Sequence, residues 1–216
     1  MVKNSSLWVM IARMIELLES ELEVKSKEYY ADPALGYVFM INNLTYIQQK
    51  AHDLKFDDDW FRQNTMKVEQ NCNLYLRSSW NKLVDFLKVE TNELAEADVA
   101  AELMKCKLQL FNLHFEETCR TQSTWTVSEK RRRERIIKSI EAFLLPGYGK
   151  FSDRFLVFFG NEAYNYIKFG IVDIQNCLSE NEMNLEDNEV CKYLLYIVAC
   201  AALQNAFYCF SLIFSY

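Results

Sequence analysis

An all-α fold, an elongated stack of antiparallel helical bundles with an apolar C-terminal helix, is predicted by three features of the 216-residue sequence. Only 5 Gly and 2 Pro are present, too few turn-formers for the many tight connections that sheets need. Apolar residues recur at steps of three and four rather than two. The composition, 50% hydrophobic and 25% charged, supplies enough apolar surface for one sizeable core or two stacked ones, and excludes a disordered or collagen-like chain.

The first helix is expected from Ser5 to about Tyr29, capped by Ser5 or Ser6, with Leu7, Met10, Met14, Leu18 and Leu22 at helical spacing. Asp32 as N-cap and Pro33 at the first helical position open the second, whose series Leu35, Val38, Phe39, Asn42 and Tyr46 runs to about Lys50. Asp57, Asp58 and Asp59 supply carboxylates to the positive end of the third. Its series, Phe61, Val68, Cys72, Tyr75, Leu76, Trp80, Leu83 and Leu87, runs to about residue 88. The fourth, about Leu94 to Gln122, carries Val99, Leu103, Cys106, Leu110, Leu113 and Phe115 as its apolar positions. The fifth is expected from about Ser128 to Leu145, stopped by Pro146 and Gly147, followed by shorter helices at Glu162–Phe169 and Val172–Leu178. Short polar loops predict antiparallel neighbours.

Lys+Arg 24 against Asp+Glu 30 gives a net charge of -6, which argues against a binder driven by neutralising nucleic-acid phosphates. Seven cysteines, at 72, 106, 119, 177, 191, 200 and 209, form no CxxC pair. With no signal-peptide pattern they predict the reducing cytosol, where the sequons at Asn4 and Asn43 stay idle. His52 and His114 stand in no metal-ligand spacing and lack the context of a nucleophile's base, and no cofactor motif occurs. Asp58/Asp59 and Glu116/Glu117 are adjacent pairs whose members diverge by about 100° on a helix, so capping and solvated faces explain them better than acid–base work. Neither a catalytic residue, a metal nor a cofactor is expected.

Charge is segregated between Thr126 and Arg154: eight basic residues stand against four acidic ones. Arg131, Arg135 and Lys138 fall on one helix face at i, i+4 and i+7, a pattern suited to phosphates on a lipid headgroup or a partner. A solvated face is the plainer alternative, and nucleic acid a weaker one because no stacking aromatics are interleaved.

An ordered set of segments carries a resemblance. Leu18-Glu19-Ser20, Lys25-Ser26-Lys27-Glu28-Tyr29, the run from Ala34 to Ile47 and Asp58-Asp59-Trp60 are followed by Tyr75-Leu76-Arg77-Ser78-Ser79-Trp80 and Phe111-Asn112-Leu113-His114-Phe115-Glu116-Glu117. Arg120-Thr121-Gln122-Ser123-Thr124-Trp125, the run from Leu145 to Phe151 and Tyr166-Ile167-Lys168-Phe169 complete it. Over residues 8 to 177 the chain resembles the C-terminal part of the plant-type exocyst complex component seven family, the Exo-seventy subunit. The resemblance implies stacked helical bundles and a non-catalytic role in exocytosis, tethering secretory vesicles to the plasma membrane. It also implies a cytoplasmic, peripheral location, with other exocyst subunits and a Rho-type small GTPase as partners, and binding of phosphatidylinositol 4,5-bisphosphate. The candidate positions for that lipid are Lys168, which matches the family's motif, and Arg131, Arg132, Arg135, Lys138, Lys150 and Arg154, which the segregated charge of this sequence supplies. The family's Lys-Tyr-Ile-Lys motif reads Asn165-Tyr166-Ile167-Lys168, so only Lys168 carries over. The chain starts inside the family's conserved region, so the N-terminal bundles that join the subunit to its partners are expected to be missing. The rival reading is a stand-alone interaction protein, a regulatory or immune decoy, that tethers nothing.

Three segments are expected: a subunit-like bundle domain at 1–178, an acidic linker at 179–192 and an apolar tail at 193–216. The tail's twenty-four residues carry no charge and as a helix would reach about 36 Å, enough for a hydrocarbon core of about 30 Å. Aromatics near both ends fit an interfacial belt and a tail anchor; Gln204 and Asn205 in the middle fit instead a helix packed on a core or a partner.

Overall fold

The computed structural model describes residues 5–53, 56–88 and 97–180, which form six α-helices and one 3-10 turn, with no strand among them. The helices are α1 (Ser5–Glu28), α2 (Pro33–Asp53), α3 (Asp58–Phe86), α4 (Ala97–Gln122), α5 (Lys130–Phe159) and α6 (Ile171–Glu180), with the 3-10 turn Gly160–Asn165 between the last two. The expected linker lies outside the described residues from 181 onward, and the expected tail lies wholly outside them. No described helix is long and apolar enough to cross a membrane. The chain divides into two compact units, residues 5–73 and 74–180, with α3 contributing to each.

In the first unit, the caps form where carboxylates precede the helices. Asp32 Oδ1 accepts the Ala34 N–H at 2.8 Å and Asp57 Oδ1 accepts the Trp60 N–H at 2.8 Å, each satisfying a donor that the helix leaves open. Helix α2 is buried on nearly all sides rather than on one face: Ala34, Val38, Phe39, Met40, Ile41, Leu44, Ile47 and Ala51 all belong to the core, while Tyr46 is exposed. A helix apolar all round is one that others enclose. Asn43 is buried there, its amide donating to the Phe39 carbonyl at 2.7 Å, so the sequon at this position is not presented to solvent. Leu22 of α1 and Val68 and Cys72 of α3 complete this core.

The close approach of α1 to α2 depends on Gly36, where an added Cβ would stand 2.5 Å from the backbone oxygen of Ser26. Backbone cannot swing aside as a side-chain tip can, so Gly36→Ala should destabilise the unit by about 1–3 kcal/mol. A lowered thermal unfolding midpoint by circular dichroism would show it; an unchanged midpoint would mean that the helices separate without cost.

In the second unit, α3 and α4 run antiparallel, as the contacts Tyr75–Gln122, Trp80–Phe115 and Phe86–His114 show by advancing on one helix while retreating on the other. The Tyr75 hydroxyl donates to Gln122 Oε1 at 2.6 Å and accepts from Trp80 Nε1 at 3.4 Å, so these buried polar tips are paired. Two expectations change here. Helix α4 buries Met104, Leu108, Phe111 and Phe115, whereas Val99, Leu103 and Leu113 are 59%, 53% and 59% exposed and Cys106 is exposed as well. The expected apolar series, Phe115 excepted, is therefore not the packed face.

Helix α5 does not stop at Pro146; it runs on to Phe159. Its core series Ile136, Ile140, Leu144, Tyr148, Phe151 and Phe155 continues unbroken past the proline. Pro146 removes one bond to the Ala142 carbonyl, a cost of about 3 kcal/mol within a helix. Both residues lie on the exposed side, where water can serve that carbonyl. The stop comes at Gly160, whose φ of 54° suits a residue without a Cβ and whose N–H donates to the Leu156 carbonyl. The helix expected at Glu162–Phe169 is accordingly the short 3-10 turn followed by irregular chain, and α6 extends the expected Val172–Leu178 at both ends.

Candidate functional site

The basic stretch becomes the first third of α5. Glu129 is its N-cap, in extended backbone (φ −95°, ψ 118°) and with no side-chain capping bond. Lys130, Arg131, Arg132 and Arg133 follow at once, and no acidic residue stands in that first turn. Four cations thus sit at the positive end of the helix dipole, the reverse of the favoured placement. An anion arriving beside the exposed Lys130 and Arg131 would be favoured by the dipole and would find backbone N–H groups without intrahelical acceptors there.

Successive residues turn by 100°, so the four cations cannot share one side. Arg132 and Arg133 turn inward and are buried, with Arg132 Nε 3.9 Å from Glu129 Oε2. Burial removes Arg132 from the surface set to which the sequence assigned it. Arg131, Arg135 and Lys138 are exposed on a common face, and Lys130, also exposed, precedes them. The face argument leaves Lys130 out; its place in the first turn is the signal that includes it.

Lys150 and Arg154 are exposed too, but Lys150 lies about 18 Å further along the axis than Lys138 and about 120° round it by ideal helix geometry. They form a second cationic group, separate from the first.

Lys168 is held by different chemistry. Its ammonium pairs with Glu116 of α4 and lies 5.6 Å from the Phe169 ring centroid. The residues around it dock the chain after α5 onto α4. Asn112 Nδ2 donates to the Tyr166 carbonyl at 3.3 Å, Phe169 meets Phe115 edge to face at 5.2 Å, and Lys105 sits over the rings of Tyr166 and Phe159 at 5.2 and 5.3 Å. The hydrogen bond from Lys105 to Glu102 pushes that ammonium's pKa up. The Tyr148 hydroxyl donates to the Phe169 carbonyl, and burial pushes its pKa up, keeping the donor protonated. Segment 165–168 therefore anchors a turn before it offers a cation. The partner Glu116, 52 positions away, has no signature in the sequence.

The carboxylate and imidazole groups weighed as chemistry sit in structural contacts. Asp59 pairs with Arg62 at 2.6 Å, Glu117 stands 3.5 Å from His114 Nδ1, His114 stacks on Phe86 at 5.2 Å and His52 meets the edge of Phe61 at 6.1 Å. Among the described residues no group of three His, Cys, Asp or Glu side chains is placed to hold a metal ion.

The family model described as the C-terminal region of the Exo70 exocyst complex subunit matches residues 2–180. Exocyst complex component EXO70B1 of Arabidopsis thaliana is 44% identical over 183 residues, covering 82% of this chain and 29% of the relative. EXO70A1 of the same plant is 32% identical over 193 residues, covering 82% and 30%. Exocyst complex component 7 of Homo sapiens is 28% identical over 180 residues, covering 76% and 24%. The chain thus spans about three-tenths of the length of the two plant relatives.

Proposed function

Because the chain belongs to the Exo70 family of exocyst subunits, through the family's C-terminal region, we propose that it is a non-catalytic module of vesicle tethering that docks on phosphoinositide-bearing membrane through the start of α5. The observation that carries this reading is the coincidence of three exposed cations on one face, Arg131, Arg135 and Lys138, with a positive helix terminus whose first turn holds no acid. Each Lys or Arg near an anionic leaflet contributes about 1 kcal/mol. Helix termini add to that attraction for phosphate. Lys150 and Arg154 face another way and Lys168 is already engaged with Glu116, so they rank as secondary contacts. Other exocyst subunits are the protein partners this reading implies, with a Rho-type small GTPase as a further one, on the cytoplasmic face of the plasma membrane.

The test is flotation of the full chain with vesicles that contain or lack phosphatidylinositol 4,5-bisphosphate, washed afterwards in salt and in alkaline carbonate. Flotation that requires the phosphoinositide and is lost in about 1 M salt, where the screening length is about 3 Å, is the expected outcome. Flotation that resists both washes would assign membrane binding to residues 193–216. No flotation would leave the stand-alone interaction protein as the better reading.

A further inference from the structure

Helix α4 carries two apolar faces, and among the described residues only one is covered. Met104, Leu108, Phe111 and Phe115 are buried, while on the opposite side Val99, Leu103, Cys106, Leu110 and Leu113 form a stripe. Four of the stripe's five members are exposed and Leu110 is half-buried. Their spacing is 4-3-4-3, the repeat of a two-stranded coiled-coil seam with Val99, Cys106 and Leu113 at d and Leu103 and Leu110 at a. A solvated helix face has no reason to keep that repeat for two heptads.

We infer that this stripe is a dimerisation surface, on which a second copy of the chain lays its own α4 parallel and in register. The choice of occupant rests on charge. With Leu103 at a, Glu102 takes a g position and Lys107 the following e position. Those are the sites that meet across a parallel seam, so a two-fold pair sets Glu102 against Lys107 of the partner subunit twice. An antiparallel pair would set g against g and e against e, forfeiting both contacts. Neither side chain is locked away from this role. Glu102 bonds Lys105 through Oε1, leaving its second oxygen, and Lys107 gives one of its three ammonium donors to the Lys88 carbonyl. The helix is already folded by its buried face, so pairing does not have to pay for ordering it. The inference is independent of the membrane reading, since it uses no residue of α5.

Sedimentation velocity of the full chain in reducing buffer over a concentration series tests it. A reversible dimer is expected, weakened at least about tenfold by Leu103→Glu while the circular dichroism melt, taken dilute enough that the parent chain is monomeric, stays unchanged, because Leu103 is exposed. Glu102→Lys should weaken the dimer and Glu102→Lys with Lys107→Glu should restore it. Under mild oxidation a covalent dimer that Cys106→Ser abolishes is expected, since Cys106 lies on the seam opposite itself. A chain that stays monomeric at every concentration would overturn the inference, as would a dimer that neither Leu103→Glu nor Glu102→Lys affects.

Discussion

Phe111→Ala should cost about 3–5 kcal/mol of unfolding free energy, while Leu113→Ala, two residues further on, should change stability by no more than about 0.5 kcal/mol. The contrast follows from which side of α4 is packed. Phe111 is fully buried, with its ring 5.8 Å from Phe115 and 4.8 Å from Tyr148 of α5, so truncation leaves a cavity between two helices. Leu113 is 59% exposed, and truncation removes little contact. Urea unfolding of both variants, followed by circular dichroism, gives the midpoints directly. It is run dilute enough that a dimer contributes nothing to the Leu113 value. Equal losses would mean that both faces of α4 are core, and would remove the surface on which the dimer inference stands.

Arg131→Gln, Arg135→Gln and Lys138→Gln combined should weaken association with phosphoinositide vesicles by about 3 kcal/mol at low salt, a factor of roughly 100. The three side chains are exposed, so the fold should survive with a melt within a few degrees of the parent. Lys150→Gln with Arg154→Gln serves as the matched control, removing two exposed charges from the same helix on another side. Its effect on vesicle binding should be below about tenfold. Should the control lose as much as the triple variant, the contact would be diffuse attraction to net charge rather than a face.

Much of the fold is legible in the sequence where local chemistry decides it. Asp32 and Asp57 cap α2 and α3 as their types and positions predict, because capping needs only the residues at hand. Helix α4 is where that reasoning fails. Its two apolar series share a period and sit on opposite sides, so periodicity cannot say which is packed; the buried one holds the aromatics Phe111 and Phe115, and that bulk is the better signal. Pro146 and Gly147 read locally as a stop, but Tyr148, Phe151 and Phe155 keep the core series going and tertiary burial prevails.

The candidate site divides in the same way. The concentration of positive charge is plain in the sequence, and so is the shared face of Arg131, Arg135 and Lys138. That Arg132 turns inward follows only once the core side of α5 is known, and the engagement of Lys168 by Glu116 depends on how the turn after α5 meets α4.

Amide hydrogen exchange of the full chain, with and without vesicles containing phosphatidylinositol 4,5-bisphosphate, tests the membrane-contact claim most directly. The amides of Lys130 and Arg131, the first two residues of α5, have no acceptors within the helix and should exchange quickly in solution. Vesicles should slow exchange at Lys130 and Arg131 and leave the buried turns of α2 unchanged. Protection confined to other segments, with the start of α5 exchanging as fast as before, would contradict it.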